Sequence, residues 1–392
     1  MTVRVPESRL AGFYFFYFAE IGAFMPYWSL YLEKQGFSKL HIAYLASLTV
    51  ITRIVAPSVW GYLADRSGQR MRWVRIGTIA QLVAWTAILY LPNTLAILAI
   101  IMLLFSFFQN AILAQFEAVT LFWLGDQRDR YGLIRLWGSI GFIAAVFGLG
   151  WWFSQTSVQQ LPLIMLGFAA FTVANAYWIA EPPRSVSRSH TPKLPLRTVL
   201  RRHRVWLFFA LEFLLLLSHA PFYSFYSNYL SAYGYSTTMI GALWGAGVLA
   251  EVLMFTQSQR VLARWSERSL LIVCLAATAV RWVLVATYPD QLAVQFVAQA
   301  VHALSFALFQ SLAMRLIFSE FSADQQGRAQ ALYSMLWGLG VAIGSLWAGA
   351  YWDLVGGSAI FMVAAGVCVL AAWGCRVYWP KQSLAVVVQK DA

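Results

Sequence analysis

Apolar residues run along this chain in long blocks, and polar residues gather in the short gaps between them. The blocks fall near residues 9–32, 40–64, 73–91, 95–123, 134–155, 159–180, 204–231, 237–260, 268–288, 290–318, 326–351 and 358–379. A helix needs about 20 predominantly apolar residues to cross a bilayer, and each block is close to that length. A membrane barrel would instead show shorter segments with strict alternation of apolar and polar positions. The pattern predicts twelve transmembrane helices and an all-α membrane protein.

The pattern also occurs twice. Residues 24–66 align with residues 222–264 at a constant offset of 198, without a gap. Phe24, Ser29, Tyr31, Leu32, Gly36, Ser38, Ile42, Leu45, Val50 and Arg66 then fall on identical residues, while Arg53 falls on Glu251. Val83-Ala84-Trp85 aligns with Val280-Arg281-Trp282 at 197, and Leu136-Trp137-Gly138 with Leu336-Trp337-Gly338 at 200. Loop insertions produce such small drifts. Two parallel six-helix halves related by an axis along the membrane normal are expected, with a polar site between them.

Composition agrees with a membrane chain. At 60% hydrophobic and 11% charged residues, 392 residues could not cover a soluble surface. The net charge of +12 invites a nucleic-acid reading. Position excludes it. Lys and Arg concentrate at both termini and in or beside alternate loops, at 65–75, 125–135, 181–204, 260–268 and 315–328. Lys34 and Lys39 lie on the other side, and Arg53 and Arg281 lie within blocks. That distribution is the positive-inside pattern with both termini cytoplasmic. The Pro-, Ser- and Arg-rich stretch near 184–203 reads as a flexible cytoplasmic linker. It divides an N-terminal bundle, 1–183, from a C-terminal bundle, 204–392.

Several features exclude other classes. The first block is too long for a signal peptide, contains Glu20 and lacks a small-residue cleavage site. Cys274, Cys368 and Cys375 lie in apolar blocks without ligand spacing, so neither a disulfide framework nor a metal site is expected. Gly138, Gly141, Ala145 and Gly148 recur on one helix face, as do Gly340 and Gly344, which reads as close helix packing.

Between the second and third blocks, Gly61, Asp65, Arg66, Gly68 and Arg70 form G-x-x-x-D-R-x-G-x-R. This resembles the loop signature of the major facilitator superfamily, and the resemblance implies a role in conformational gating. The matching place in the second half, 259–268, keeps positive charge but loses Gly61 and Asp65. Tyr131-Gly132, Arg135-Leu-Trp-Gly-Ser139, Ala250-Glu251-Val252, Val280-Arg281-Trp282, Gln299 and His302 are similar to the phenylpropionate permease group, itself akin to lactose permease and nucleoside–proton symporters. The resemblance spans residues 25 to 337. It implies the major facilitator fold and proton symport.

Ionised groups inside a bilayer are costly and mark function by default. Glu251, Arg281 and His302 lie on spans eight, nine and ten. They read either as a static cluster that locks three helices or as a proton-coupling site. Desolvation raises a carboxyl pKa in general and a nearby guanidinium lowers it, so a change in their separation changes proton affinity. The resemblance to lactose permease places acid, arginine and histidine on the equivalent helices. Phe306 stands where a second carboxylate would follow His302 by one turn, so the protonation site falls to Glu251. Gln295, Gln299, His302, Phe306 and Phe309 recur at steps of four, three, four and three, a face expected to line a cavity.

Arg53 offers a planar fork that fits a carboxylate, or it pairs with Glu20 or Glu117. Glu117 near its helix end also reads as a gate partner for Arg135. Asn110 shares a face with Glu117. Tyr27 and Glu20 on span one, and Glu212, His219, Tyr223 and Tyr226 on span seven, read as cavity walls that suit a ring-bearing ligand; Tyr226 also suits an interfacial belt, and His219 a packing histidine.

The expectation is an inner-membrane, monomeric proton symporter importing a small aromatic carboxylate by alternating access. Arg53, Glu20, Tyr27, Asn110, His219, Tyr223, Tyr226 and Gln299 would bind substrate. Glu251, Arg281 and His302 would couple the proton. The loop residues with Glu117 and Arg135 would gate. The partners are a small molecule, a proton and the lipid bilayer, with no nucleic acid, cofactor or metal. Rivals are nucleoside or sugar proton symport, multidrug efflux, a non-transporting sensor and an intramembrane enzyme. No nucleophile–base pair, metal cluster or phosphate loop supports the last.

Overall fold

The computed structural model describes residues 5–182 and 199–380. Most of the expected linker at 184–203 therefore lies outside the described residues. Everything described is helical, turn or irregular, with no strand.

The first six helices are α1 (Glu7–Lys34), α2 (Lys39–Ser67), α3 (Arg70–Tyr90), α4 (Leu95–Leu124), α5 (Tyr131–Gln155) and α6 (Leu161–Trp178). Next come α7 (His203–Ala232), α8 (Thr237–Arg264), α9 (Glu267–Thr287) and α10 (Leu292–Glu320). A final helical run, Ala323–Tyr378, spans 56 residues. Straight, it would reach about 84 Å, far beyond a bilayer. Gly356 breaks it with φ 79° and ψ 156°, outside the helical region. The two pieces are α11 (323–355) and α12 (357–378).

Nine helices among the described residues are long and apolar enough to cross a membrane, the last run counting once. α1 carries Glu20 and α2 carries Arg53, each well inside its helix. Many large apolar side chains stand exposed around the outside, among them Ile100, Leu104, Leu133 and Leu370, a surface suited to lipid.

The repeat is visible in the backbone. Gly36 and Gly234 close α1 and α7 at φ 86° and 84°. Phe37 N bonds Leu32 O at 3.1 Å, and Tyr235 N bonds Leu230 O at 3.2 Å. Ser38 then caps α2 by accepting from His41 N, as Ser236 caps α8 by accepting from Met239 N. Residues 198 apart thus perform the same turn chemistry.

Small residues bring backbones together as the sequence predicts. A Cβ on Gly141 would lie 2.1 Å from Phe15 O, and one on Gly344 would lie 2.5 Å from Leu217 O. Any side chain there would force α5 off α1, or α11 off α7. Gly148, in contrast, faces open space.

α2 packs on α11, α5 on α8 and α1 on α7. The hydrogen bonds between residues 5–182 and 199–380 all gather at one end. Asn228 Nδ2 donates to Ser29 O at 3.1 Å and to the Glu33 carboxylate. Thr237 Oγ1 donates to Gly150 O at 2.8 Å, and Thr238 Oγ1 to Ser154 Oγ at 3.0 Å. At the other end, where the basic loops lie, ion pairs among the described residues stay on their own side of that divide. Arg70 pairs with Asp65, Arg130 with Glu7, and Arg204 with Glu267 and Glu320. The molecule is latched at one end and unlatched at the other.

Candidate functional site

Three helices meet around His302. α8 brings Glu251, α9 brings Arg281 and α10 brings His302. His302 Nε2 lies 2.8 Å from Glu251 Oε1, and Arg281 Nη1 lies 2.8 Å from His302 Nδ1. A guanidinium only donates, so Nδ1 accepts and the ring hydrogen sits on Nε2, aimed at Glu251. The imidazole is thereby the link between a fixed cation and a carboxyl. Arg281 is completely buried, with Phe222 at 4.2 Å and Trp282 at 4.4 Å from its Cζ. Its Nη2 donates to Gln299 Oε1 at 3.3 Å, while Gln299 Nε2 has no hydrogen-bond partner among the described residues.

Immediately after His302, residues Leu304–Leu308 form a π turn in α10. Such a turn shifts the register of one helix face and is frequent at functional sites. It brings Ser305 between two histidines. Ser305 Oγ lies 3.3 Å from His302 Nδ1 and 3.3 Å from His219 Nε2. His219 Nδ1 bonds Leu215 O at 2.9 Å, so that nitrogen carries the hydrogen and Nε2 accepts. Glu251, His302, Ser305 and His219 thus stand in a row, in which the one Ser305 hydrogen, also within reach of His302 O at 3.1 Å, serves one of the two facing ring nitrogens at a time. The periodicity of α10 located Gln299 and His302 but gave no sign of the π turn or of Ser305.

Arg53 stands differently. It is exposed, yet its Cζ sits 4.0 Å above the Trp337 ring of α11, across the α2–α11 contact. It makes no ion pair with Glu20 or Glu117. Trp337 in turn lies 5.8 Å from the Tyr223 ring. Tyr223, Trp337, His219, Ser305 and Tyr333 line one small cavity. An exposed guanidinium over an aromatic floor, with no ion pair among the described residues, keeps its donors available. In sequence Trp337 stands out only as part of the repeat, and spacing does not reveal its place under Arg53.

The other expected wall residues are held by the protein. Glu20 is completely buried, and its Oε1 accepts from Gln81 Nε2 at 2.6 Å and from Trp85 Nε1 at 2.9 Å. Tyr27 is buried, and its hydroxyl donates to Val146 O at 2.5 Å, under the latched end. Asn110 Nδ2 donates to Thr52 Oγ1 at 3.1 Å, tying α4 to α2. The Tyr226 hydroxyl donates to Gln295 Oε1 at 3.0 Å.

In the loop signature, Gly68 ends α2 at φ 64° and Asp65 pairs with Arg70. Arg70 Nη1 also reaches Gln115 Oε1 at 2.6 Å, and Arg66 reaches the Tyr62 hydroxyl at 3.3 Å. Gly61 lies against Gln115. Glu181, which no motif or spacing marks, accepts from the backbone N–H groups of Arg70 and Met71 at 2.6 and 2.9 Å. A carboxylate there caps α3 and complements its dipole. Glu117 Oε1 lies 3.9 Å from Arg135 Nε, and Arg135 rests 3.9 Å over the Phe18 ring. No group of acidic, His or Cys residues among those described could hold a metal ion.

Comparison with known proteins places this architecture. The chain is 29% identical over 363 residues to the "Probable 3-phenylpropionic acid transporter" of Escherichia coli (strain K12), covering 91% of this chain and 93% of that one. It is 25% identical to the "Maltose permease" of Geobacillus stearothermophilus, covering 88% and 85%. The crystal structure of the nucleoside transporter NupG superposes with a TM-score of 0.85 at 17% identity, over 96% of this chain and 99% of that one, and so shows the shared fold. The sequence model of the MFS_1 like family matches residues 8–363. This chain belongs to that family, and it is a membrane-spanning transporter, not an enzyme.

Proposed function

We propose that the chain imports a small aromatic carboxylate together with a proton. One observation carries this reading. A guanidinium with no carboxylate partner, Arg53, faces an aromatic floor across the contact between the two halves, while the carboxyl at the matched place, Glu251, is wired to His302 and Arg281. The substrate carboxylate binds Arg53, and its ring packs on Trp337 and Tyr223. Glu251 takes the proton, and the Arg281–His302 pair resets its affinity as α8, α9 and α10 shift. The 29% identity to a protein named for 3-phenylpropionic acid supports the substrate class.

In this reading all twelve helices span the inner membrane, as bundles 1–183 and 204–392 joined by a cytoplasmic linker, and the protein works as a monomer. Both termini lie in the cytoplasm with the basic loops. The latched end then faces outward, and the described state is open to the cytoplasm. Rocking of the halves exposes the site alternately. Asp65, Arg66, Arg70 and the Glu117–Arg135 pair act at the cytoplasmic gate.

Nucleoside or sugar symport is the second reading. The free amide nitrogen of Gln299 favours it, because a neutral substrate needs such donors. Proteoliposomes challenged with aryl acids, nucleosides and sugars, with external pH recorded, separate the two. Alkalinisation on adding aryl acids alone supports the proposal. Alkalinisation with nucleosides or sugars alone replaces it.

A further inference from the structure

Glu212 has no role in the site described above. It is completely buried in α7, and neither of its carboxyl oxygens has a hydrogen-bond partner among the described residues. An ionised carboxylate in that setting costs several kcal/mol, whereas a neutral carboxylic acid is tolerated. Few folds keep such a group for packing alone.

Its position gives it a use. Glu212, Leu216, His219 and Tyr223 follow at steps of four, three and four, one face of α7. The last three line the cavity under Trp337. Glu212 lies two turns from His219, about 10 Å closer to the basic-loop end of the helix. One turn before it, Phe208 stacks on both Phe309 and Tyr333. Gly340 of α11 packs on the backbone at Phe213. These contacts seal Glu212 from lipid and from bulk water.

The charged and titratable groups around it are few. Tyr333 on α11 interacts with it electrostatically, and Arg53 and Tyr223 face the same tyrosine. The Tyr333 hydroxyl donates to Gln310 Oε1 at 2.6 Å and leaves its own lone pairs free. Two turns toward the helix start, Arg204 is taken by Glu267 and Glu320. No cation among the described residues pairs with Glu212.

We propose that Glu212 is a second proton-binding carboxyl, set between the Glu251–His302–Ser305–His219 row and the cytoplasmic end. Neutral and sealed in the described state, it releases its proton to the cytoplasm when the halves rock and water reaches it, and is then reprotonated through the cavity by the proton that Glu251 gives up by way of His302 and His219, so no net charge stays in the protein after a cycle. The inference rests on the proton-symport reading above.

The test uses the full chain in proteoliposomes, with uphill uptake and substrate exchange of an aryl acid measured in parallel. Glu212→Gln, which keeps the shape but cannot titrate, is expected to slow uphill uptake at least about tenfold while exchange stays close to wild type. Glu212→Asp should restore much of the uptake. Unchanged uphill uptake in Glu212→Gln overturns the proposal. Should that variant fail to fold, infrared spectroscopy of the Glu20→Gln/Glu251→Gln double variant decides. A protonated-carboxyl carbonyl band that persists there supports Glu212, and its absence overturns it. Wild-type uptake without any pH change would remove the symport reading itself, a separate outcome.

Discussion

The two halves share a backbone and differ in what they do with charge. At residues 198 apart they make the same glycine turn and the same serine cap. They even repeat an indole contact. Trp85 Nε1 donates to Glu20 Oε1 at 2.9 Å, and Trp282 Nε1 lies 3.3 Å from Ser218 Oγ, with Glu20 and Ser218 matched at 198. In the first half the carboxylate is locked under that indole among amides, and the guanidinium, Arg53, is left open. In the second half the guanidinium, Arg281, is locked, and the carboxyl, Glu251, sits at the end of a histidine chain. Duplication supplied one scaffold twice. Substitution at matched depths then gave one half an open cation and the other a wired acid, and we assign them the substrate anion and the proton.

Breaking the acid should have the largest effect. Glu251→Gln is expected to lower uphill uptake about a hundredfold or more while exchange remains measurable, read by radiolabel flux with and without a proton gradient. Arg53→Gln comes next. Charge-assisted hydrogen bonds contribute about 1.5–3 kcal/mol, so the affinity for an aryl carboxylate should fall by about ten- to a hundredfold. An uncharged ring analogue should be spared, and equal loss for both would contradict the anchor role. Trp337→Leu removes the aromatic floor, and a loss of about three- to tenfold for aryl acids, with alkyl acids less affected, is expected in competition assays. Glu20→Gln should matter least. Its carboxyl faces Gln81 and Trp85 rather than the crevice, so binding should stay within about threefold, less than the 1.4 kcal/mol that a tenfold change requires. A large loss there would return Glu20 to the binding site.

The fold was largely legible because lipid imposes simple rules. Apolar length located the helices, and the 198-residue offset exposed the repeat. The limits are physical too. α1 and α2 carry Glu20 and Arg53 inside otherwise apolar runs, and the break between α11 and α12 is a single glycine, Gly356. In the site, Glu251, Arg281 and His302 stood out because each is costly in a membrane, and they do meet. Ser305 and Trp337 are ordinary residues in such a chain. Only a π turn and a cross-half contact give them a place, and neither leaves a mark in residue spacing. Tyr27 and Asn110 shared a helix face with candidate residues, but their polar atoms bond to Val146 and Thr52. Facing inward and facing the crevice are the same pattern in sequence.

The division of labour between the halves is tested most directly by recording external pH while vesicles take up one aryl acid, side by side in wild type, Glu251→Gln and Arg53→Gln. The account predicts proton uptake with substrate in wild type, exchange without proton uptake in Glu251→Gln, and an unchanged ratio of protons to substrate at weakened affinity in Arg53→Gln. Proton-linked uptake that survives in Glu251→Gln, or a ratio that changes in Arg53→Gln, would contradict it.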